Sequence, residues 1–140
     1  MDKLLCLWDA KLVKCQNLQG HNGSISKVKV DKHNIGVTAA YDSALLIWNL
    51  DTLECVQGLF NGHKDSIMEF EWFNSLVVSG GRDGSMCFWD INTGQAVHSL
   101  QAHNGPVAKI HFYSDGLSKN IILSTGLKDG ILAVHDMRTH

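Results

Sequence analysis

The sequence predicts an all-β fold built from repeated antiparallel sheets, and three observations support this prediction. A Trp-Asp or Trp-Asn pair recurs at steps of 40 and 41 residues, at Trp8, Trp48 and Trp89. An aspartate stands six residues before each of these tryptophans. Between these marks lie short apolar segments separated by turn residues, and none shows a helical period with capping residues. A repeat of this length is typical of sheets that stack on one another.

Each full repeat is predicted to hold four strands. The third strands, Leu45–Trp48, Met86–Trp89 and Leu132–His135, are continuous apolar runs, the pattern of a strand buried on both faces. First strands such as 25–30 alternate apolar and polar residues with a period of two. Asp83-Gly84 lies between a second and a third strand, where this pair predicts a tight hairpin.

Composition limits the function classes. The chain has 140 residues, of which 44% are hydrophobic, and a net charge of −2 from 12 basic and 14 acidic residues. This apolar fraction can fill the core of one globular domain. The charge balance argues against a nucleic-acid-binding face, which needs a basic excess. We expect no membrane span, since no run of about 18 apolar residues occurs. We also expect no signal peptide, since the N-terminus has an acidic residue at once, Asp2, and only a very short apolar stretch.

The four cysteines form no C-x-x-C pair, so we expect reduced thiols and buried, unreactive side chains. They are Cys6, Cys15, Cys55 and Cys87. The sequence therefore favours a cytoplasmic location, with nuclear and ciliary locations as alternatives.

Two further marks recur in the same register. A histidine follows a small residue at Gly20-His21, Gly62-His63 and Ala102-His103. A hydroxyl residue stands four positions before each internal turn aspartate. These pairs are Thr38 and Asp42, Ser79 and Asp83, and Thr125 and Asp129.

Taken together, these marks resemble the WD-repeat family of β-propellers over nearly the whole chain. The resemblance implies a partial propeller of four-stranded antiparallel blades, with two full blades and two incomplete ones. Three positions depart from the family pattern, because His135 replaces a tryptophan, Ala102 a glycine and Asn49 an aspartate. The third repeat also carries a polar insertion at 113–120.

The resemblance divides the single WD-repeat region, residues 1–140, into four parts. Residues 1–19 form the end of one blade, 20–61 the first repeat, 62–101 the second, and 102–140 a third repeat with an incomplete blade. Propellers close with roughly four to eight blades. We therefore expect either that further blades complete the ring or that copies of the chain associate.

The recurring histidine, hydroxyl and aspartate raise the hypothesis of a hydrolase triad. A catalytic site needs only one such set, whereas a structural role in the fold needs one set in every blade. The repetition of the set therefore favours a structural role, and we expect that the chain is not an enzyme. The resemblance implies that each histidine bridges the turn aspartate and the strand hydroxyl, and that the tryptophan extends the network. We expect a weaker third network, because His135 cannot fill the volume of tryptophan. The predicted network residues are His21, Thr38, Asp42, Trp48, His63, Ser79, Asp83, Trp89, His103, Thr125 and Asp129.

No cofactor or metal site is predicted. The three network histidines fall on different blades, too far apart to share an ion, and no Cys/His cluster has zinc spacing. The glycine-rich segment 80–84 lacks the Lys-Ser/Thr of a phosphate-binding loop.

The resemblance places the loops after each Gly-His pair and the turns that hold the aspartates on one surface, which we call the rim. In this family the rim commonly binds proteins, so protein or peptide partners are expected, with no nucleic acid and no membrane. The predicted partner-binding residues are Tyr41, Arg82, Lys128, Lys64 and Asp65; an ordinary solvated rim is the alternative for each.

The leading hypothesis is thus a non-catalytic scaffold or adaptor that binds proteins through the rim. A substrate receptor of a cullin-type ubiquitin ligase is the alternative, because His135-Asp136-Met137-Arg138 resembles a WD-x-R signature. A ciliary or trafficking adaptor fits the sequence equally well.

Overall fold

A computed structural model describes residues 5–8, 15–114, 116 and 120–136, with only the backbone described for 5–8 and 15–18. Within these ranges the chain forms thirteen β-strands and no helix. No helix there is long and apolar enough to cross a membrane. The strands are β1 Leu5–Trp8, β2 Cys15–Leu18, β3 Ile25–Val30, β4 Ile35–Ala40, β5 Leu45–Asn49, β6 Glu54–Leu59, β7 Ile67–Phe73, β8 Leu76–Gly81, β9 Ser85–Asp90, β10 Gln95–Gln101, β11 Val107–Ser114, β12 Asn120–Gly126 and β13 Leu132–Asp136.

The strands form four sheets in which each strand pairs antiparallel with its neighbour in sequence. Strands β3 to β6 make sheet 1, and β7 to β10 make sheet 2, each with four strands. Strands β11 to β13 make the three-stranded sheet 3, and β1 pairs with β2. The predicted all-β fold of four-stranded antiparallel blades is confirmed.

Three equivalent turns bring the second and third strand of each sheet together. In each turn the residue after the aspartate adopts a left-handed backbone, at Ser43 (φ 70°), Gly84 (φ 87°) and Gly130 (φ 66°). Glycine adopts this conformation without steric cost, which explains the Asp-Gly pairs of the second and third turns. These turns hold the aspartates at the rim.

The core lies between the faces of adjacent sheets. Between sheets 1 and 2 it contains Val37, Leu45, Phe70 and Trp89, all at most 1% exposed. A second layer between sheets 2 and 3 is built on residues such as Phe88. Because successive side chains of a strand point to opposite faces, each central strand supplies both layers.

The predicted burial of the third strands holds for two of the three. Residues 45–48 and 86–89 are buried, as expected for strands covered on both faces. The expectation for Leu132–His135 is wrong, because Leu132 and Val134 are each 60% exposed. Among the described strands, β13 makes extensive contact only with β12, its neighbour in sheet 3. Completion of the ring by further blades or by copies stays a prediction.

The third repeat is longer than the other two at two places. Five residues separate β11 from β12, against four between β3 and β4 and two between β7 and β8. The turn between β12 and β13 is one residue longer than its equivalents, since Ser124 pairs with Ala133 whereas Thr38 pairs with Leu46. This extra residue shifts the register of the third network.

Candidate functional site

The network of sheet 1 joins four side chains in a directed chain of hydrogen bonds. The Trp48 indole N–H can only donate, and it lies 2.8 Å from Thr38 Oγ1. The Asp42 carboxylate can only accept, so His21 Nδ1–H donates to Asp42 Oδ2 at 3.0 Å. In the tautomer with hydrogen on Nδ1, His21 Nε2 accepts from the Thr38 hydroxyl at 2.6 Å. The backbone N–H of Asn22 donates to the same carboxylate oxygen at 2.8 Å. The network thus ties the loop after Gly-His to the turn of the same sheet.

The network of sheet 2 has the same tryptophan, hydroxyl and histidine bonds as that of sheet 1, but its histidine reaches the aspartate differently. Trp89 donates to Ser79 Oγ at 2.8 Å, and Ser79 lies 2.6 Å from His63 Nε2. His63 Nδ1 does not contact Asp83 as the resemblance implies; it lies 3.1 Å from Ser85 Oγ. The Ser85 hydroxyl in turn donates to Asp83 Oδ1 at 2.7 Å. The expected direct contact between His63 and Asp83 is therefore wrong, and the Ser85 hydroxyl bridges the two side chains.

The reason lies at the position two residues after the turn aspartate. In sheet 1 this position is Ala44, which offers only its backbone N–H to Asp42 Oδ1 at 3.1 Å. In sheet 2 it is Ser85, whose backbone N–H and hydroxyl both bond to Asp83. The serine hydroxyl thus separates the carboxylate from the imidazole.

The network of sheet 3 uses Ser124 and not the predicted Thr125. Ser124 Oγ is 2.9 Å from His103 Nε2, and His103 Nδ1 is 3.0 Å from Asp129 Oδ2. Thr125 is the next residue of the same strand, so its side chain lies on the other face of the sheet. The prediction was wrong because the extra residue of this turn lies between the hydroxyl and the aspartate.

His135 takes the place of the tryptophan in this third network. Its Nε2 lies 3.1 Å from Ser124 Oγ. The equivalent hydroxyl oxygens in sheets 1 and 2, those of Thr38 and Ser79, accept the indole N–H of Trp48 and Trp89. The imidazole thus keeps a nitrogen where the indole N–H would be. The weaker third network stays a prediction.

Burial and hydrogen bonds shift the pKa values of the network groups in a consistent way. Burial lowers the pKa of His63, against the opposing charge of Asp83. Burial would raise the pKa of Asp83, but bonds from Ser85 and the charge of His63 hold it below its ordinary value. The N–H groups of Ile131 and Asn104 lower the pKa of Asp129. These shifts favour the neutral form of His63 and the anionic forms of Asp83 and Asp129.

The network hydroxyls are not accessible to a substrate. Thr38, Ser79 and Ser124 are each 0% exposed. Burial also raises the pKa of Cys87 to about 11, which keeps its thiol protonated. The expected burial is wrong for Cys55, which is exposed. Among the described residues no group of three or more His, Cys, Asp or Glu side chains could hold a metal ion.

The structure places four of the five predicted partner-binding residues on the exposed rim. Tyr41 is 38% exposed, and Arg82, Lys64 and Lys128 are exposed as well. Asp65 is half-buried and accepts a hydrogen bond from the backbone N–H of the next residue at 2.7 Å. Asp65 thus shapes its own loop and presents less of its side chain to solvent.

Leu127 is a rim residue that the sequence did not predict. The backbone N–H groups of Tyr41 and Arg82 donate to the loop after Gly-His, at 2.9 and 2.8 Å. In sheet 3 the residue that makes this bond, at 2.8 Å to Pro106, is Leu127 and not Lys128. Leu127 is 66% exposed. The extra residue of the turn hid this equivalence, which the pattern of backbone bonds reveals.

Ion pairs join the inner strands of the three sheets. Lys27 on β3 pairs with Glu69 on β7, and Lys29 pairs with Glu71 one step along the same strands. Lys109 on β11 lies 3.5 Å from Glu69 on its other side. The alternating charges of the first strands were the available signal for these pairs, since such side chains share one face.

The comparisons with known proteins place this geometry among β-propellers. The model of one family, described as the DDB1- and CUL4-associated factor 12 beta propeller, matches residues 37–138. The computationally designed Ika4 protein has a similar solved structure, with a TM-score of 0.84 and 27% identity, covering 96% of this chain and 80% of that one.

Two curated relatives show how much of a longer protein the chain resembles. It is 30% identical over 139 residues to autophagy-related protein 16 of Arabidopsis thaliana, covering 96% of this chain and 26% of that protein. It is 25% identical over 164 residues to the CCR4-associated factor 4 homolog of Candida glabrata, covering 99% of this chain and 28% of that protein. The chain thus spans little more than a quarter of the length of either relative.

Proposed function

The chain belongs to the WD-repeat β-propeller family of DDB1- and CUL4-associated factor 12, and from that premise we propose that it is a non-catalytic scaffold that binds protein or peptide partners through its rim. One observation carries this proposal. Tyr41, Arg82 and Leu127 occupy equivalent backbone positions on three consecutive sheets, and all three are exposed. Tyrosine and arginine are enriched among the residues that dominate binding energy at interfaces.

The rim is a rigid platform for such contacts. The network of each sheet fixes the turn aspartate, and the Ser66 hydroxyl donates to the Tyr41 carbonyl at 3.2 Å, which ties the rims of sheets 1 and 2 together. A preformed surface loses little conformational entropy on binding. Protein binding without chemistry is the function that this arrangement supports best.

The burial of the repeated hydroxyls supports the non-catalytic part of the proposal. A nucleophile must reach the substrate, and Ser79 is enclosed while it accepts the Trp89 N–H. A survey of esterase and phosphatase substrates tests this part. Activity that is lost in a folded Ser79→Ala variant would contradict it.

Capture of proteins from a eukaryotic cell lysate tests the rim. The wild-type chain is compared with a Tyr41→Ala/Arg82→Ala variant and with a matched control, Lys32→Ala/Asn92→Ala, whose exposed residues lie on the opposite turns. We expect proteins retained by the wild type and the control to be lost from the rim variant. Equal capture by all three chains would contradict the proposal.

Association with a cullin-type ubiquitin ligase is the second candidate, and the family description that names DDB1 and CUL4 favours it. The WD-x-R-like segment ends at Met137 and Arg138, which lie outside the described residues. Co-purification with DDB1 that Arg138→Ala reduces would support this candidate. Co-purification that is unchanged by Arg138→Ala would remove the support of that segment.

We also propose a cytoplasmic location, on the basis of four cysteines without a C-x-x-C pair. Imaging of a fluorescent fusion tests it, with nuclear or ciliary signal as the contrary result.

A further inference from the structure

Asp83 is unlike the other two turn aspartates in what its carboxylate contacts. In Asp42 and Asp129, the oxygen Oδ2 accepts a bond from a histidine Nδ1 and another from a backbone N–H. In Asp83 both bonds come from Ser85, and both end on Oδ1. The backbone N–H of Asp83 itself also bonds to this carboxylate, but among the described residues no histidine Nδ1 and no N–H of the loop after Gly-His donates to Asp83 Oδ2.

This carboxylate lines a cavity of about 360 Å³ on the rim, together with Ser99, Leu100 and Gln101. The Gln101 amide nitrogen donates to the carbonyls of Asp83 at 2.6 Å and His103 at 3.0 Å. Both N–H groups of that amide are therefore used, and its oxygen Oε1 is left as an acceptor. The residues that line the cavity thus include a carboxylate, a glutamine with an unused amide oxygen, the hydroxyl residue Ser99 and the apolar Leu100.

Among the described residues, no cation forms an ion pair with Asp83. Lys64 lines the same cavity and Arg82 precedes Asp83, but neither forms an ion pair with it among the described residues. Asp83 is exposed, and a carboxylate without an ion-pair partner attracts a cation from outside. A guanidinium matches several acceptors better than an ammonium does, because it carries five N–H donors in a planar fork.

We propose that this cavity receives an arginine side chain of a partner protein, with Asp83 Oδ2 and Gln101 Oε1 as the acceptors. The inference rests on the proposed function and names the chemistry of the partner at one point of the rim. Ser85 is the positioning residue, because its hydroxyl holds the carboxylate away from His63. Lys64 opposes the cation and lowers the affinity.

Titration with N-acetyl-L-arginine amide, followed by the backbone amide NMR signals of Gly84, Ser85 and Gln101, tests the inference. The neutral isostere N-acetyl-L-citrulline amide is the control ligand. We expect saturable shifts with the arginine compound and none with the citrulline compound. Equal shifts with both compounds, or none with either, would overturn the inference.

Two variants distinguish the site from a general attraction of charge. Ser85→Ala keeps the carboxylate but recreates the arrangement of Asp42 and Ala44, so Asp83 should turn to His63 and the shifts should be lost. Lys64→Ala lies outside the network and should tighten binding about two- to fivefold. Unchanged binding in a folded Ser85→Ala chain, or weaker binding in Lys64→Ala, would overturn the proposal.

The lysate capture with the Tyr41 and Arg82 variant is a separate readout. If that variant loses its partners while Ser85→Ala binds arginine like the wild type, the rim function stands and the arginine site falls. If capture does not depend on Tyr41 and Arg82, the rim function falls by itself.

Discussion

Glu69 on β7 and Lys27 on β3 form an ion pair that joins the inner strands of sheets 1 and 2, and the Glu69 side chain is only 4% exposed. The same carboxylate accepts the backbone N–H of Phe70 at 2.9 Å and has Lys109 of sheet 3 at 3.5 Å. Glu69 is therefore a buried charge that links all three sheets. Lys27 and Lys109 both have it as their counter-ion.

Replacing Glu69 should destabilise the fold. Glu69→Gln keeps the shape and removes the charge, so Lys27 loses its counter-ion while partly buried. We expect the free energy of unfolding to fall by about 1–3 kcal/mol, between the values for surface and buried pairs. Urea denaturation measures it. Lys109→Ala is the control, because the Lys109 side chain is 80% exposed. This variant should lower the free energy of unfolding by less than about 0.5 kcal/mol. Equal losses in both variants would contradict this account.

Two neighbouring residues test the register of the third network. Ser124→Ala removes the hydroxyl that lies between His103 and His135, and should lower the free energy of unfolding by about 1–3 kcal/mol, since buried polar atoms lose their partner. Thr125→Val removes the hydroxyl on the other face and should change it by no more than about 0.5 kcal/mol. The reverse order in thermal or urea denaturation would favour Thr125 as the network hydroxyl.

The sequence predicted what depends on regular spacing. Strand order, the turns and the network of sheet 1 agree with the marks that recur at fixed offsets and with what the family resemblance implies, because each sheet buries equivalent residues at equivalent positions. The spacing from Asp129 to His135 is also unchanged, so nothing in it revealed the extra residue on the other side of Asp129. A one-residue shift then moved the hydroxyl to Ser124 and the exposed rim position to Leu127.

Other features depend on neighbours that a linear pattern does not contain. The Ser85 hydroxyl lies between His63 and Asp83 because of the side-chain conformations in this turn, which the spacing of the marks does not contain. The exposure of Leu132 and Val134 depends on which face of sheet 3 is covered, although their sequence is as apolar as that of a buried strand.

The backbone of the β8–β9 turn gives a third prediction. Gly84 has φ +87°, and a Cβ there would lie 2.0 Å from the His103 carbonyl oxygen. Gly84→Ala should cost about 2–4 kcal/mol from conformational strain and overpacking. Gly130 is the matched control, because it holds the equivalent position at φ +66° and a Cβ there would meet no atom within 4 Å. Gly130→Ala should cost only about 1 kcal/mol, as Ser43 adopts this conformation already. Similar unfolding midpoints for the two variants would contradict the close approach at Gly84.

Stability should fall on mild acidification because of His63. Its pKa is lowered in the folded chain, chiefly by burial, whereas the unfolded chain takes up a proton at its ordinary value of about 6.5. The unfolded state therefore binds more protons below that value, and the contribution present above it is lost as the pH falls. The lowered pKa values of Asp83 and Asp129 act in the same direction, at and below about pH 4.

Denaturation by urea between about pH 7.5 and 5.5 measures this effect. We expect the free energy of unfolding to decrease towards the acid end in the wild type and in His33→Gln, whose imidazole is exposed. The decrease should be smaller in His63→Gln. The same slope in all three chains would assign the effect to other groups.

Site-specific photo-cross-linking tests the central claim most directly, namely that the chain acts through its rim. The photoreactive residue p-benzoylphenylalanine replaces Arg82 on the rim in one chain, and Asn92 on the opposite turn of the same sheet in another. After irradiation in a eukaryotic cell lysate, we predict discrete covalent adducts with partner proteins from position 82 and none from position 92. Adducts from position 92 alone, or the same adducts from both positions, would contradict the account.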